Sequence, residues 1–161
     1  MARTTKVMNC PPEAVFAVMA DGWTYPSWVV GASRMRGVDE EWPEPGSCIR
    51  HSVGIWPAVI DDETEVIAWD APNRAEFIAR GWPIGEARIV MEVRPHPRGC
   101  IVRMTEYAVR GPVQYIPRFL TDPPLDLRNR EALRRLGYLA EGMWQNDETE
   151  ERSSAEDRGE E

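Results

Sequence analysis

Two ionisable side chains fall where an apolar wall is expected. In the stretch 99–110 alternate residues are Cys100, Val102, Met104, Glu106 and Ala108, and in 47–56 they are Ile49, His51, Val53 and Ile55. Side chains of a strand alternate between its two faces, so Glu106 and His51 each share a face with apolar neighbours. A carboxylate in such a wall is costly unless it has a partner. General acid/base catalysis is one role, since burial disfavours the ionised carboxyl and a nearby imidazole can share the proton. An anchor for a ligand carbonyl or hydroxyl is a second. The third is structural, an ion pair with an arginine near a cavity mouth. All three stay open at this level, and His51 also reads as an ordinary satisfied core histidine.

Aromatic residues supply the rest of the candidate chemistry. Trp28, Trp56, Trp69 and Trp82 stand next to turns, where each could stack a flat ligand at a mouth or pack as plain core and rim. Tyr115, Ile116, Phe119 and Leu120 lie in the connection before the last helix and read either as a lid or as a packed loop. Trp28, Trp56, Phe77, Trp82, Met91, Met104, Tyr115, Phe119 and Leu136 are the expected ligand-binding residues, beside Glu106 and His51 as the catalytic pair. Other chemistries lack their residues. Cys10, Cys48 and Cys100 are odd in number and widely spaced, and the only histidines are His51 and His96, so neither a disulfide framework nor a zinc site is expected. Gly81-Trp82-Pro83-Ile84-Gly85 reads as a turn and not a phosphate loop, and no G-x-S-x-G is present. No metal and no cofactor are expected.

The elements that would position these residues follow from pattern and punctuation. Residues 2–9 read as an opening strand. Cys10-Pro11-Pro12-Glu13 opens a helix, with proline in its first turn and an acid at its positive end, and Asp21-Gly22 closes it. A second short helix covers 24–31. Strands are expected at 32–40, 47–56, 60–70, 73–82, 84–95 and 99–110, separated by Pro/Gly/Asn turn signals about ten residues apart, the spacing of an antiparallel meander. The last helix is expected at 123–145, capped by Asp122, with Leu125, Ala132, Leu133, Leu136, Ala140 and Met143 on its buried stripe. Arg128, Arg130, Arg134 and Arg135 read as a solvated strip pairing with Glu131, or as a dock for the chain's own acidic end.

Composition bounds the function. The chain has 161 residues, 42% hydrophobic and 29% charged, which suits one globular domain with a sizeable core. The net charge is −8. That argues against nucleic-acid binding, which needs a basic surface, and against an anionic membrane. No apolar run approaches the ~20 residues of a membrane-spanning helix, and Pro11, Pro12 and Glu13 interrupt any leader-like start, so a cytoplasmic protein without membrane insertion is expected. Residues 146–161 hold eight acids and two arginines, net −6, against −2 for 1–145 with its 19 acids and 17 basic residues. With Ala155 as the lone apolar residue, this segment is expected to be a disordered acidic tail after a single domain at 1–145.

One strand, two short helices, six strands and one long helix make an α+β chain. A seven-stranded antiparallel sheet must cover one face, and one helix covers it only if the sheet curls around it, leaving room between the two. The stretches CPPEAVFAVMADGWTYPSWVVGA at 10–32, GSCIRHSVGIWP at 46–57, RGWPIGEARIVMEV at 80–93, MTEYAVRGP at 104–112 and RNREALRRLGYLAE at 128–141 resemble the START-like, helix-grip (SRPBCC) superfamily, in its polyketide cyclase/dehydrase and lipid-transport-like branch. The opening PPE-x-VF and closing RN-x-x-x-L-x-x-L carry the likeness to the fold. The resemblance implies a hydrophobic small molecule, a lipid, polyketide or aromatic metabolite, bound in a cavity between sheet and last helix. It also leaves a second reading, a cyclase/dehydrase in which Glu106 and His51 move protons. A regulatory partner protein, prompted by the acidic end, is a third. Oligomeric state is not readable from this chain.

Overall fold

The computed structural model describes residues 2–55, 58–81, 85–111 and 118–159, with backbone alone at 55, 58, 81, 118–122, 151 and 154–159. Along the chain come β1 (Ala2–Met8), α1 (Pro12–Ala20), a single 3-10 turn (Gly22–Thr24), α2 (Tyr25–Trp28), β2 (Ala32–Val38), β3 (Cys48–Ile55), β4 (Ala58–Asp70), β5 (Arg74–Gly81), β6 (Gly85–His96), β7 (Gly99–Arg110) and α3 (Arg118–Gly159). The described strands form one seven-stranded antiparallel sheet in the order β1-β7-β6-β5-β4-β3-β2. Strands β2 to β7 follow one another as hairpins, and β1 is added beside β7 with Met8 opposite Cys100. This is the α+β helix-grip fold, with the short helices after β1 and the long helix last.

Local sequence explains the helical pieces. Pro12 stands at the start of α1, where its missing N–H costs nothing, and Glu13 follows in the first turn. The helix buries Ala14, Val15, Phe16, Val18 and Met19 against the sheet. Asp21 then turns the chain, accepting a 3.0 Å hydrogen bond from the Trp23 backbone N–H through its side chain. Tyr25 and Trp28 are the buried residues of α2.

The last helix differs from expectation at both ends. It begins at Arg118, so Asp122 is not its cap, and Pro123 and Pro124 lie inside its second turn. The expectation rested on the preference of proline for a first turn; in the second turn each proline withholds one intrahelical hydrogen bond, a local cost the packed length downstream outweighs. At the other end the helix runs on to Gly159, where a disordered tail had been expected to start at 146. Glutamate, arginine and alanine, which recur in this segment, are good helix formers, and a helix already nucleated by packing extends through them at little cost. Asp147, Glu150, Arg152 and Ser153 are exposed there, and none of the described side chains of the extension is buried. The buried stripe ends at Ala140, and Met143 is exposed.

One carboxylate on the exposed side of α3 sits among arginines. Glu131 accepts from Arg134 Nε at 2.7 Å and from Arg135 Nε at 2.8 Å, and these guanidiniums hold its carboxyl down to about 2. The folded value lies below the ordinary carboxylate range, so the stabilisation is present above about pH 4.3 and is lost as pH falls towards 2. Glu131→Gln should therefore lower the urea midpoint near neutral pH, with the gap to wild type closing as acid is added. A gap that persists at low pH would count against this.

Glycine is required where β6 turns into β7. Gly99 has φ +126°, and a Cβ there would stand 2.5 Å from the Met8 carbonyl oxygen and 2.7 Å from the Cys10 backbone nitrogen. Strain and backbone collision act together, so Gly99→Ala should cost at least ~2 kcal/mol. Urea unfolding measures it, and a loss below about 0.5 kcal/mol, the surface-substitution level, would show that the turn relaxes freely.

Candidate functional site

The register of the sheet explains where the interior fills and where it opens. Across β5, β6 and β7 the inward ranks run Ala75–Met91–Met104, then Phe77–Ile89–Glu106, then Ala79–Ala87–Ala108. Side-chain volume collapses in the last rank. On the packed side, Met8, Met91, Val93, Cys100, Val102, Leu133 and Leu136 form one buried cluster. On the open side lies a cavity of about 260 Å³.

Among the described residues its floor is Phe77, Ala79, Ala87, Ile89, Met104, Glu106 and Ala108, and its far wall is His51, Val53, Ile60 and Asp62. Tyr25, Trp28 and Val29, in and just after α2, close one end, and Leu125 and Arg128 of α3 form the roof. The walls are thus mainly apolar, with polar groups at two places.

The first polar place is Glu106. Its side chain is 6% exposed, and both carboxylate oxygens accept from Arg128 Nη2, at 2.7 Å to Oε1 and 2.5 Å to Oε2. The second is His51, fully buried, with Nε2 3.4 Å from Asp62 Oδ2. Asp62 Oδ1 accepts a 2.7 Å hydrogen bond from the Glu63 backbone N–H. His51 Nδ1 and Trp28 Nε1 are buried without a protein partner among the described residues.

Tyr25 lies between the two places. Its ring stands 4.8 Å from His51 and 5.4 Å from Trp28, and its hydroxyl is 3.0 Å from Thr64 Oγ1. Burial pushes its phenol well above the usual tyrosine range; Thr64 and Arg128 oppose this, and the charges of Asp62 and Glu106 add to it. The phenol is accordingly a neutral hydrogen-bonding group at any ordinary pH.

The structure brings five of the expected site residues to this cavity: Trp28, His51, Phe77, Met104 and Glu106. His51 reaches it from β3 and Glu106 from β7. Each has its own partner. Met91 and Leu136 are not among the described lining residues; both are fully buried in the packed cluster. Met91 stands beside Met104 in the rank that borders the filled end, and Leu136 is eight residues, ~12 Å, along α3 from Arg128. Trp56, Trp82 and Tyr115 lie outside the described residues, as does the side chain of Phe119.

Sequence reasoning missed Arg128, Asp62 and Tyr25. Arg128 was grouped with Arg130, Arg134 and Arg135 as a solvated strip, although it is three residues after Leu125 and four before Ala132, on the buried stripe. Asp62 alternates inward with Ile60, Thr64 and Val66, a parity legible in β4. Among the described residues no group of three or more His, Cys, Asp or Glu side chains is placed to hold a metal, and no helix is long and apolar enough to cross a membrane.

Comparison with known proteins decides the family. Residues 2–137 match the model of the family described as polyketide cyclase / dehydrase and lipid transport. The chain belongs to that family. A search of curated proteins returns no match. Solved structures of the same fold include a Chromobacterium violaceum protein at 16% identity and TM-score 0.67, covering 86% of this chain and 96% of that one. A Staphylococcus aureus protein of unknown function aligns at 10% identity and TM-score 0.68, over 89% of this chain and 94% of that one. DynU16, a protein of the dynemicin biosynthetic locus, aligns at 13% identity and TM-score 0.60, over 85% of this chain and 45% of its own. At these identities the likeness is one of fold. Within the polyketide cyclase/dehydrase family fold, then, this chain's chemistry rests on its own cavity residues.

The Glu106–Arg128 pair is asymmetric, and stability should report it. Arg128 is 39% exposed and can regain water, whereas Glu106 cannot. Arg128→Gln, which strands the buried carboxylate, should cost about 3 kcal/mol, while Glu106→Gln, which keeps an acceptor for Arg128, should cost about 1 kcal/mol. Urea denaturation of both variants checks the order; the reverse order would mean that the guanidinium is the buried partner.

Proposed function

We propose that this protein binds a small hydrophobic molecule in the cavity between the sheet and α3. The observation that carries the reading is the alanine rank, Ala79–Ala87–Ala108, which leaves about 260 Å³ of mainly apolar space directly beneath the helix. An ordinary core fills such space, because an unfilled void forfeits packing energy. Membership of a cyclase/dehydrase and lipid transport family supports the reading. The volume is just under the ~300–1,000 Å³ of common ligand pockets, which favours a compact ring compound over a two-chain lipid. Tyr25, Trp28 and Phe77 supply aromatic faces for it.

The geometry weighs against a proton-sharing Glu106/His51 dyad of the cyclase kind. His51 faces Asp62, and the carboxylate oxygens of Glu106 are occupied by Arg128 rather than free to take a proton from a substrate carbon.

Native mass spectrometry of protein freshly purified from its own host, followed by denaturing extraction, tests the reading. A co-purifying lipid-, polyketide- or aromatic-like mass is the expected result. Ala87→Phe, which fills the cavity from its floor, should abolish that mass while circular dichroism stays native. Retention of the same mass by a folded Ala87→Phe variant would place the ligand elsewhere.

A further inference from the structure

The cavity is hydrophobic, but its ionisable groups are unequal in number. Among the described lining residues, Asp62, Glu86 and Glu106 are acids, Arg128 is the one permanently charged base, and His51 is buried against Asp62. Glu86 stands at the start of β6, where the cavity opens, with Arg80 Nε 3.8 Å away. Arg128 is the group a carboxylate-bearing ligand would seek. Its Nη2 already spans both oxygens of Glu106, so its charge is committed before any ligand arrives. A carboxylate entering the cavity would therefore meet Asp62, Glu86 and Glu106 with no free cation among the described lining residues, in a medium that strengthens like-charge repulsion.

We infer that Glu106 is the charge filter of this cavity: by neutralising Arg128 it excludes carboxylate-bearing ligands and admits uncharged or amine-bearing ring compounds. The inference rests on the binding reading above and narrows it. A ligand carboxylate in a mainly apolar cavity is costly without a cation to pair with, and the described one is already paired with Glu106. The aromatic rings of Tyr25, Trp28 and Phe77 accept an ammonium group or a neutral ring alike, through their faces. The buried Trp28 ring N–H and the Tyr25 hydroxyl can serve a neutral oxygen without a change in the charge balance.

Three probes of nearly equal size isolate charge: naphthoate, naphthalenemethanol and naphthylmethylamine, substituted at the same ring carbon. Near pH 7 the first is an anion, the second neutral and the third a cation. Isothermal titration of the full chain should show the alcohol and the amine binding at least about tenfold more tightly than naphthoate. In Glu106→Gln the freed guanidinium should raise the ratio of naphthoate to alcohol affinity by about tenfold. If that variant does not fold, Glu106→Asp withdraws the carboxylate by one methylene and should shift the naphthoate-to-alcohol ratio the same way. Naphthoate binding wild type as tightly as the alcohol, or a ratio unmoved by the substitution, would overturn the filter while leaving a hydrophobic binding cavity in place. If none of the three binds wild type while the native ligand mass is absent too, the binding reading itself falls, and the filter with it.

Discussion

A sheet of seven strands is wider than the helix that covers it. Six inter-strand spacings of ~4.8 Å span on the order of 29 Å, whereas a helix with its side chains is ~10–12 Å across. The sheet therefore has to curl, and α3 can be in contact along only part of the inner face. At the packed end the contact is close: a Cβ on Gly137 would lie 3.1 Å from Lys6 Cε and 3.5 Å from Met8 Cγ, so the helix backbone lies almost on β1. At the other end the helix rides above three alanines. The core and the cavity are two outcomes of one geometric mismatch, separated by the rank Phe77–Ile89–Glu106.

The position of Glu106 in that boundary rank gives the ion pair its meaning. A buried or half-buried pair is weak evidence for stability, because desolvation offsets most of the attraction, and apolar residues of similar volume often serve the fold as well. Methionine already occupies the equivalent place one rank away, at 104. Stability alone thus gives no reason for a carboxylate and a guanidinium here. Polarity of the cavity does, and so does the way the pair fixes it, with the acid on the rigid floor and the base on the roof. His51 and Asp62 make a second such pairing on the far wall, directly opposite each other on β3 and β4.

Much of this was legible because strand parity is a hard constraint. A one-residue error flips a whole face, so the alternations through His51, Phe77, Met91 and Glu106 each had one answer consistent with burial. The ranks themselves were not legible. Whether Met91 stands over core or cavity depends on the register between strands, which a single strand's pattern does not contain. Arg128 was lost for a different reason: arginine is nearly always at the surface, and that prior overrode the helical spacing that placed it inward. The ends of α3 were misread because caps and proline preferences act over one turn, whereas a long packed helix is decided by its middle.

The fold of the polyketide cyclase/dehydrase and lipid transport family accounts for the existence of a space under α3, and the alanine rank accounts for its size. Neither accounts for the proposed selectivity, which rests on the polar groups that interrupt the walls. Tyr25 links these groups. Its phenol, held neutral by burial, lies within electrostatic reach of Asp62, Glu106 and Arg128 and is 3.0 Å from Thr64. An ionised group at that position would add a fourth charge to an acidic cavity; a neutral hydroxyl adds hydrogen-bonding capacity and an aromatic face instead. The cavity can thus be polar in two places and still present a ligand with surfaces that are almost entirely apolar, which is the combination a binding site for an uncharged ring compound requires.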